Sequence, residues 1–238
     1  MKKVNVIIPA IEVDTRLHRC LEGLEKQKYK NFFVTLVLDK KKNLNTLKKF
    51  NFLIKIIILQ KYTMSKKRNI AVSRFSSEYI AFIDSDASPG KNWLFKSINI
   101  LEKKKIHIVG GPNLPFNYKE YWKKITHYCK RSFFITAKYN FINYKSKNRI
   151  TDLLHSSNFI ISKKKYLSVN GMNEKLYIGE DHDFFFRLNR KFKDLKILFD
   201  KEVFVYHEDR ELKFFLLQRF CYGLNICLLY TSPSPRDS

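Results

Sequence analysis

The chain has 238 residues, with 46 lysines and arginines against 22 aspartates and glutamates, and a formal net charge of +24. A hydrophobic share of 45% and an aromatic share of 15% exclude an intrinsically disordered chain, and the length allows one substantial core. The charge fits nucleic acid, an anionic membrane or a phosphorylated substrate as partner, but the scattered lysines carry no signature of a nucleic-acid reader.

The first half of the sequence alternates between two hydrophobic periods. Apolar, β-branched runs predict buried strands at residues 4–8, 33–38, 54–59, 79–83 and 106–109. Segments of helical period separate them, at residues 15–27, 66–73 and 93–102. This alternation predicts an α/β fold with a mostly parallel sheet flanked by helices.

Two acidic side chains close the fourth predicted strand. Asp84 and Asp86 stand two positions apart, so both would point to the same side of a continuing strand. Ligands collect at the carboxyl ends of parallel strands, and Mg²⁺ or Mn²⁺ takes carboxylate and phosphate oxygens there. The pattern indicates a divalent metal that carries a phosphate, although so short a motif could also be a plain polar turn.

The second half begins with an aromatic and basic stretch at residues 118–144 and returns to a predicted strand at residues 158–162. Glu180, Asp181 and Asp183 open a predicted helix, where the helix dipole favours carboxylates. Crowded carboxylates also raise one another's pKa towards the range of a general base, so capping and catalysis both stay open. A further strand ends at His207, which could complete a Mn²⁺ shell or be an ordinary surface residue.

Cysteine spacing and hydropathy indicate the compartment. The four cysteines are widely spaced, which predicts neither a zinc site nor a disulfide framework and favours a reducing compartment. The N-terminal apolar run is too short for a signal-peptide core, and no run of about 18 apolar residues predicts a membrane span.

The C-terminal residues 227–238 abandon the composition of the rest of the chain. They resemble the translation of a sequencing-library adapter. We therefore expect native sequence to end near Ile226 and the remainder to be a non-native tail from a truncated reading frame.

A series of short motifs occurs in the order and spacing of family 2 glycosyltransferases. They lie at residues 4–9, 67–69, 82–89, 93–94, 110–113, 157–158, 171–174, 179–183 and 205–207. Each is weak alone, but the ordered series resembles the family over roughly residues 3–225, and most closely its bacterial cell-envelope and exopolysaccharide branch. The resemblance implies a Rossmann-like GT-A domain over residues 1–226, with a nucleotide-binding half (about 1–112) and an acceptor and catalytic half (about 113–226).

The resemblance implies nucleotide-sugar-binding roles for six residues, of which Asp84 is described below with the metal. Asp39 matches the acidic residue that hydrogen-bonds the nucleotide base, and Glu12 lies in the loop that encloses it. Arg68 matches a basic residue near the nucleotide. Pro9 and Ser85 belong to the same motifs and are assigned to the same site.

The same resemblance implies metal and catalytic roles. Asp86 matches the direct ligand of Mn²⁺ or Mg²⁺, and Asp84 its neighbour that contacts ribose or supports the metal. His207 fits a third ligand found in part of the family. Asp181 matches the catalytic base, with Glu180 beside it to orient the acceptor or the base. The implied reaction is an inverting, metal-dependent transfer of a sugar from a nucleoside-diphosphate donor to a hydroxyl of a glycan or lipid-linked acceptor.

Residues 40–42 depart from the family pattern, because three lysines replace its usual Asp-Gly-Ser. The usual Asn-Glu after the first proline is reduced to Ile-Glu at residues 11–12. We expect the lysines to form a solvated loop rather than to contact the diphosphate, although such a contact is open to them. A sugar nucleotidyltransferase would share the fold, but residues 9–15 lack the glycines of a phosphate loop. A basic binding module would also account for the charge, and the lysine replacement would suit an inactive relative of the family.

Charge and resemblance together predict where the protein works. A basic outer face would favour an anionic lipid leaflet that carries a lipid-linked acceptor. We therefore expect a cytoplasmic protein at the inner face of the plasma membrane, with a nucleotide sugar rather than nucleic acid as its partner.

Overall fold

The computed structural model describes residues 2–116 and 119–231, with residues 225–231 as backbone only. In this part of the chain the strands are β1 (Val4–Ala10), β2 (Phe32–Leu38), β3 (Ile54–Ile58), β4 (Tyr79–Ile83), β5 (Ala87–Pro89), β6 (Ile108–Gly110), β7 (Asn113–Pro115), β8 (Arg149–Thr151), β9 (Asn158–Ser162), β10 (Ile197–Phe199) and β11 (Val205–His207). The helices are α1 (Thr15–Glu25), α2 (Met64–Arg74), α3 (Trp93–Lys103), α4 (Tyr121–Arg131), α5 (Phe133–Thr136), α6 (Lys163–Leu167), α7 (Glu180–Lys191) and α8 (Leu212–Thr231), with 3₁₀ turns at Leu44–Lys49 and Ala137–Asn143.

The main sheet has eight strands in the order β3-β2-β1-β4-β9-β6-β10-β8. The first four of these are parallel to one another, and β10 is parallel to β6. Strand β9 runs antiparallel to both of its neighbours, and β8 runs antiparallel to β10. The predicted α/β architecture is therefore confirmed, with the early strands and helices bounded to within two residues of their predicted positions.

Side-chain alternation along the strands divides the hydrophobic core between the two faces of the sheet. On β1, Val6 and Ile8 pack into the core that contains the buried leucines of α1 and α3. Ile7, between them, packs into the opposite core with Phe184 and Phe185 of α7. Because β1 is buried on both faces, its sequence is continuously apolar, as expected for a central parallel strand.

A buried amide joins three segments beneath the carboxyl edge of the sheet. The Asn158 Oδ1 accepts a hydrogen bond of 2.8 Å from the Trp93 indole N–H. Its Nδ2 donates to the backbone carbonyls of Gly111 at 3.0 Å and Val203 at 2.9 Å. Since each polar group of this amide has a partner, the link holds β9, α3 and the connection before β11 at fixed positions.

A second sheet of three strands, in the order β5-β11-β7, lies at the end of β4. Strand β11 runs antiparallel to β5 and pairs His207 with Ala87. This pairing brings a late segment of the chain to the residue that follows Asp86.

The C-terminal helix α8 is the longest described helix. Among the described residues, no helix has both the length and the apolar character that crossing a bilayer requires. Of the expected non-native tail at residues 227–238, residues 232–238 lie outside the described part of the chain. The boundary near residue 112 between a nucleotide-binding half and an acceptor half stays a prediction.

Candidate active site

Asp84, Asp86 and His207 come together where β4 and β11 end. The His207 Nε2 lies 3.6 Å from Asp84 Oδ2 and 3.5 Å from Asp86 Oδ1. One ligand atom from each of the three lies within 4.8 Å of the others. The expectation that a continuing strand aligns the two aspartates is wrong, because β4 ends at Ile83 and Asp86 lies in the turn to β5. The turn and the β5–β11 pairing bring the carboxylates together instead.

The charges of this cluster compensate one another. Burial opposes protonation of His207, but the carboxylates of Asp86 and Asp84 outweigh it and raise the pKa of His207 to about 9. Burial would raise the pKa of Asp84, but hydrogen bonds and charges from His207 and Arg68 lower it to about 2. The two carboxylates thus require a positive partner. Two carboxylate oxygens and one imidazole nitrogen also form a donor set that suits Mn²⁺, so the residues fit the expected metal.

Arg68 connects this cluster to the second acidic motif. Its guanidinium side chain is only 3% exposed and donates to Asp84 Oδ1 at 2.9 Å and to Glu180 Oε1 at 3.3 Å. Asp84 therefore uses one oxygen for Arg68 and turns the other towards His207. In the structure Arg68 is a buried bridge between carboxylates, a role that the sequence did not indicate, and its place near the nucleotide stays a prediction.

Glu180 and Asp181 form the first turn of α7. The preceding Gly179 has a φ of 81°, in the left-handed region that favours glycine, and this turn directs the chain into the helix. Burial and the neighbouring charge of Asp181 raise the pKa of Glu180, while Arg68 opposes the rise. Asp181 is half-buried, and its Oδ1 accepts a hydrogen bond from the backbone N–H of His182.

Two polar residues that sequence reasoning missed lie beside this turn. Ser156 Oγ donates to Glu180 Oε1 at 3.4 Å. Burial lowers the pKa of His155 to about 4, against the opposing charge of Asp181, so His155 is neutral at physiological pH. Both precede β9 in an irregular segment, and no motif in the sequence singled them out.

The expected nucleotide-binding residues follow the neighbouring strands. Asp39 follows β2, and its Oδ2 accepts a hydrogen bond of 2.8 Å from the ammonium of Lys67, which is buried and also donates to the Ala10 carbonyl. Lys67 was missed as a site residue, although the motif at residues 67–69 contains it. Pro9 is buried in β1, and Ser85 is half-buried between the two aspartates.

The three lysines at residues 40–42, which replace the usual family motif, lie close to an acidic side chain. Glu12 lies 3.6 Å from the ammonium groups of both Lys40 and Lys42. These two lysine side chains are 64% and 63% exposed. The loop is therefore solvated, as expected, and its charge is partly balanced by Glu12.

Comparisons with known proteins give the family setting of this site. The model of the family described as "Glycosyl transferase family 2" matches residues 5–168. Glycosyltransferase AglE of Haloferax volcanii is 28% identical over 123 residues, which make up 48% of this chain and 40% of AglE.

Two solved structures share the fold. Staphylococcus aureus TarS 1–349 in complex with UDP-GlcNAc has a TM-score of 0.62 at 17% identity, over 88% of this chain and 59% of that one. GalNAc-T7 with UDP, GalNAc and Mn²⁺ has a TM-score of 0.66 at 14% identity, over 89% of this chain and 44% of that one. The chain thus spans less than two thirds of each protein compared, and the likeness confirms the predicted GT-A fold.

Proposed function

The chain belongs to glycosyl transferase family 2, and we propose that it is an inverting, metal-dependent glycosyltransferase. It would move a sugar from a nucleoside-diphosphate donor to a hydroxyl of a glycan or lipid-linked acceptor in cell-envelope synthesis. The single observation that carries the proposal is the convergence of Asp84, Asp86 and His207 on one point, joined through Arg68 to Glu180.

In this proposal Asp86 and His207 hold the divalent ion, Mn²⁺ or Mg²⁺, and Asp84 supports it or contacts the ribose. The ion, when bound, would neutralise the negative charge that develops on the departing diphosphate. Arg68 holds the Asp84 carboxylate in one orientation, because it occupies one of its two oxygens. The donor set of the cluster and the UDP and Mn²⁺ named with GalNAc-T7 support this assignment.

The nucleotide would lie along the ends of β1, β2 and β4. Asp39 would accept a hydrogen bond from the base, and its carboxylate is already oriented by Lys67 at 2.8 Å. Pro9, Glu12 and Ser85 would line the same cleft. The UDP-GlcNAc named with TarS supports a uridine-diphosphate sugar as the first donor to test.

Asp181 would remove the proton from the acceptor hydroxyl as that oxygen attacks the sugar carbon. The new bond forms on the face opposite the departing diphosphate, so a single displacement inverts that carbon. Glu180 lies one residue away and is anchored by Arg68 and Ser156, so it would hold the first turn of α7 in place. The proposed setting is the cytoplasmic, inner face of the plasma membrane, with an anionic lipid surface as partner.

Two variants test the proposal on the intact chain. Nucleotide sugars would be screened with Mn²⁺ for release of the nucleoside diphosphate. Asp181→Asn should lower turnover about 100-fold or more, the range for loss of a general base, while UDP binding persists. Asp86→Ala should remove the Mn²⁺-dependent gain in UDP affinity.

Asp194→Asn, an exposed carboxylate just beyond α7, is the matched control and should behave as wild type. Full turnover by Asp181→Asn would exclude it as the base. An unchanged response to Mn²⁺ in Asp86→Ala would exclude Asp86 as a ligand. A chain that binds UDP and Mn²⁺ but never turns over any donor would point to an inactive relative of the family.

A further inference from the structure

Helices α4, α5 and α8 expose large apolar side chains that a water-facing surface normally avoids. On α4, Trp122 and Tyr128 are 53% and 65% exposed, and on α5 Phe134 is 97% exposed. On α8, Leu217 and Phe220 are 57% and 65% exposed. We call this surface the α4–α5–α8 face. Exposed apolar side chains concentrated on adjoining elements mark an interaction surface.

Contacts between the elements bring the three helices together. Helix α4 packs against α5 and against α8. The Thr126 hydroxyl donates to the carbonyl of Arg210, just before α8, at 2.9 Å. The buried carboxylate of Asp209 lies 3.3 Å from the His127 Nδ1 and forms an ion pair with Lys130, both on α4. These bonds fix α4 to the segment that leads from β11 into α8.

The charge of the face has a single sign. Residues 121–136 and 212–224 contain no aspartate or glutamate, and they carry six lysines and arginines. Three of these, Lys124, Arg131 and Lys213, are exposed. Tryptophan, tyrosine and phenylalanine combined with basic side chains are typical of helices that lie in the boundary between lipid headgroups and acyl chains.

We propose that the α4–α5–α8 face docks onto an anionic lipid surface, with its aromatic side chains inserted among the headgroups. The proposal rests on the proposed function, for which it identifies the surface that meets the membrane. Charge decides between occupants: a second copy of this chain would bring the same basic face and repel it, whereas anionic lipid attracts it.

The position of the face fits an acceptor carried by lipid. Asp209, which ties α4 to the chain, follows the candidate metal ligand His207 by two residues. On α8, burial raises the pKa of Tyr222 and the charge of Arg219 opposes the rise, while the charges of Asp181 and Glu180 add to it, so Tyr222 lies within electrostatic reach of the first turn of α7. A docked protein would therefore hold both acidic motifs close to the lipid surface.

Vesicle binding by the full chain tests the proposal without any turnover assay. The vesicles would be phosphatidylcholine alone, or phosphatidylcholine with about 30% phosphatidylglycerol as the anionic lipid. Wild type should bind the anionic vesicles. A Phe133→Ser and Phe134→Ser double variant should bind at least about tenfold more weakly, given the transfer free energy of two phenylalanines. A Lys124→Glu and Lys213→Glu variant should lose a similar factor on anionic vesicles.

Matched controls separate the face from general surface effects. Leu53→Ser removes an apolar side chain that lies outside the α4–α5–α8 face and is 56% exposed. Lys105→Glu reverses the charge of an exposed lysine beyond α3. Both should bind vesicles as wild type does. UDP affinity with Mn²⁺, measured in solution for every variant, should stay unchanged.

Equal vesicle binding by wild type and both double variants would overturn the proposal. So would concentration-dependent dimerisation in solution that the Phe133 and Phe134 changes abolish, because it would assign the face to a second copy. A wild-type chain whose UDP affinity does not respond to Mn²⁺ would instead contradict the proposed function. The vesicle experiment does not depend on that result, because its outcome is judged only by comparing vesicle binding between wild type and the variants.

Discussion

Replacement of Arg68 by methionine is the sharpest perturbation that this site offers. The variant keeps much of the side-chain volume but removes the guanidinium that lies 2.9 Å from Asp84 and 3.3 Å from Glu180. Both carboxylates would then face each other across a largely buried space without their common counter-charge. Removing one partner of a buried ion pair costs about 3–5 kcal/mol.

For a chain of this length, that loss corresponds to a fall in the melting temperature of about 6–20 °C. Arg68→Lys keeps the charge but cannot span both carboxylates, so it should recover part of the loss. The measurement is thermal unfolding in EDTA, followed by the same measurement in Mn²⁺ with and without UDP.

Mn²⁺ should stabilise Arg68→Met by more than it stabilises wild type, because the ion would become the counter-charge of Asp84. Turnover should still fall, since Glu180 would lose its ion pair with Arg68 and keep only the hydrogen bond from Ser156. The matched control is Arg187→Met. It breaks a half-buried ion pair, outside the metal cluster, in which Arg187 lies 2.7 Å from Asp183. It should lose stability without a larger response to Mn²⁺. An Arg68→Met protein as stable as wild type in EDTA would refute the reasoning.

Three further predictions concern the scaffold. Asn158→Leu should lower the free energy of unfolding in urea by about 2–5 kcal/mol, because it leaves buried partners unpaired; a loss of less than about 1 kcal/mol, the net value of one hydrogen bond, would contradict this. Gly111→Ala should fold poorly, since a Cβ would lie 2.2 Å from the Val203 carbonyl oxygen, whereas Gly223→Ala, with nothing within 4 Å, should melt no lower than wild type. Burial raises the pKa of Asp14, but the Leu17 N–H and Arg16 lower it below its usual 3.8. Wild type should therefore be more stable than Asp14→Asn above pH 3.8, and this advantage should vanish as the pH falls through the lowered pKa of Asp14. A wild-type advantage that grows in acid would contradict the prediction.

Local patterns were sufficient to predict most elements of the nucleotide-binding half. The period of apolar residues located β1 to β4 and α1 to α3 because each of these elements buries its own repeating face. The direction of β9 was not predictable in this way. A strand buried on both faces is apolar throughout whether it runs parallel or antiparallel, so its sequence carries no mark of its orientation.

Some residues of the candidate site were predictable from the sequence, and others were not. Asp84, Asp86, Glu180 and Asp181 were predictable from the sequence because carboxylates at a strand end or helix start stand out in a basic chain, and His207 because it ends a predicted strand. The buried partners Lys67 and Ser156 were not, because a lysine or serine in the sequence gives no sign that it will be buried against a carboxylate.

Periodicity and motifs of neighbouring residues were enough to predict the fold class, the family and the residue types available for metal, nucleotide and proton chemistry, because these properties are local in the chain. Tertiary packing was needed to show that His207 faces the two aspartates, that Arg68 bridges both acidic motifs, and that α4, with its exposed apolar and basic side chains, packs against α5 and α8. These arrangements depend on strand pairing and helix packing between segments far apart in the chain, and the pairing energy that selects them is not carried by any one segment.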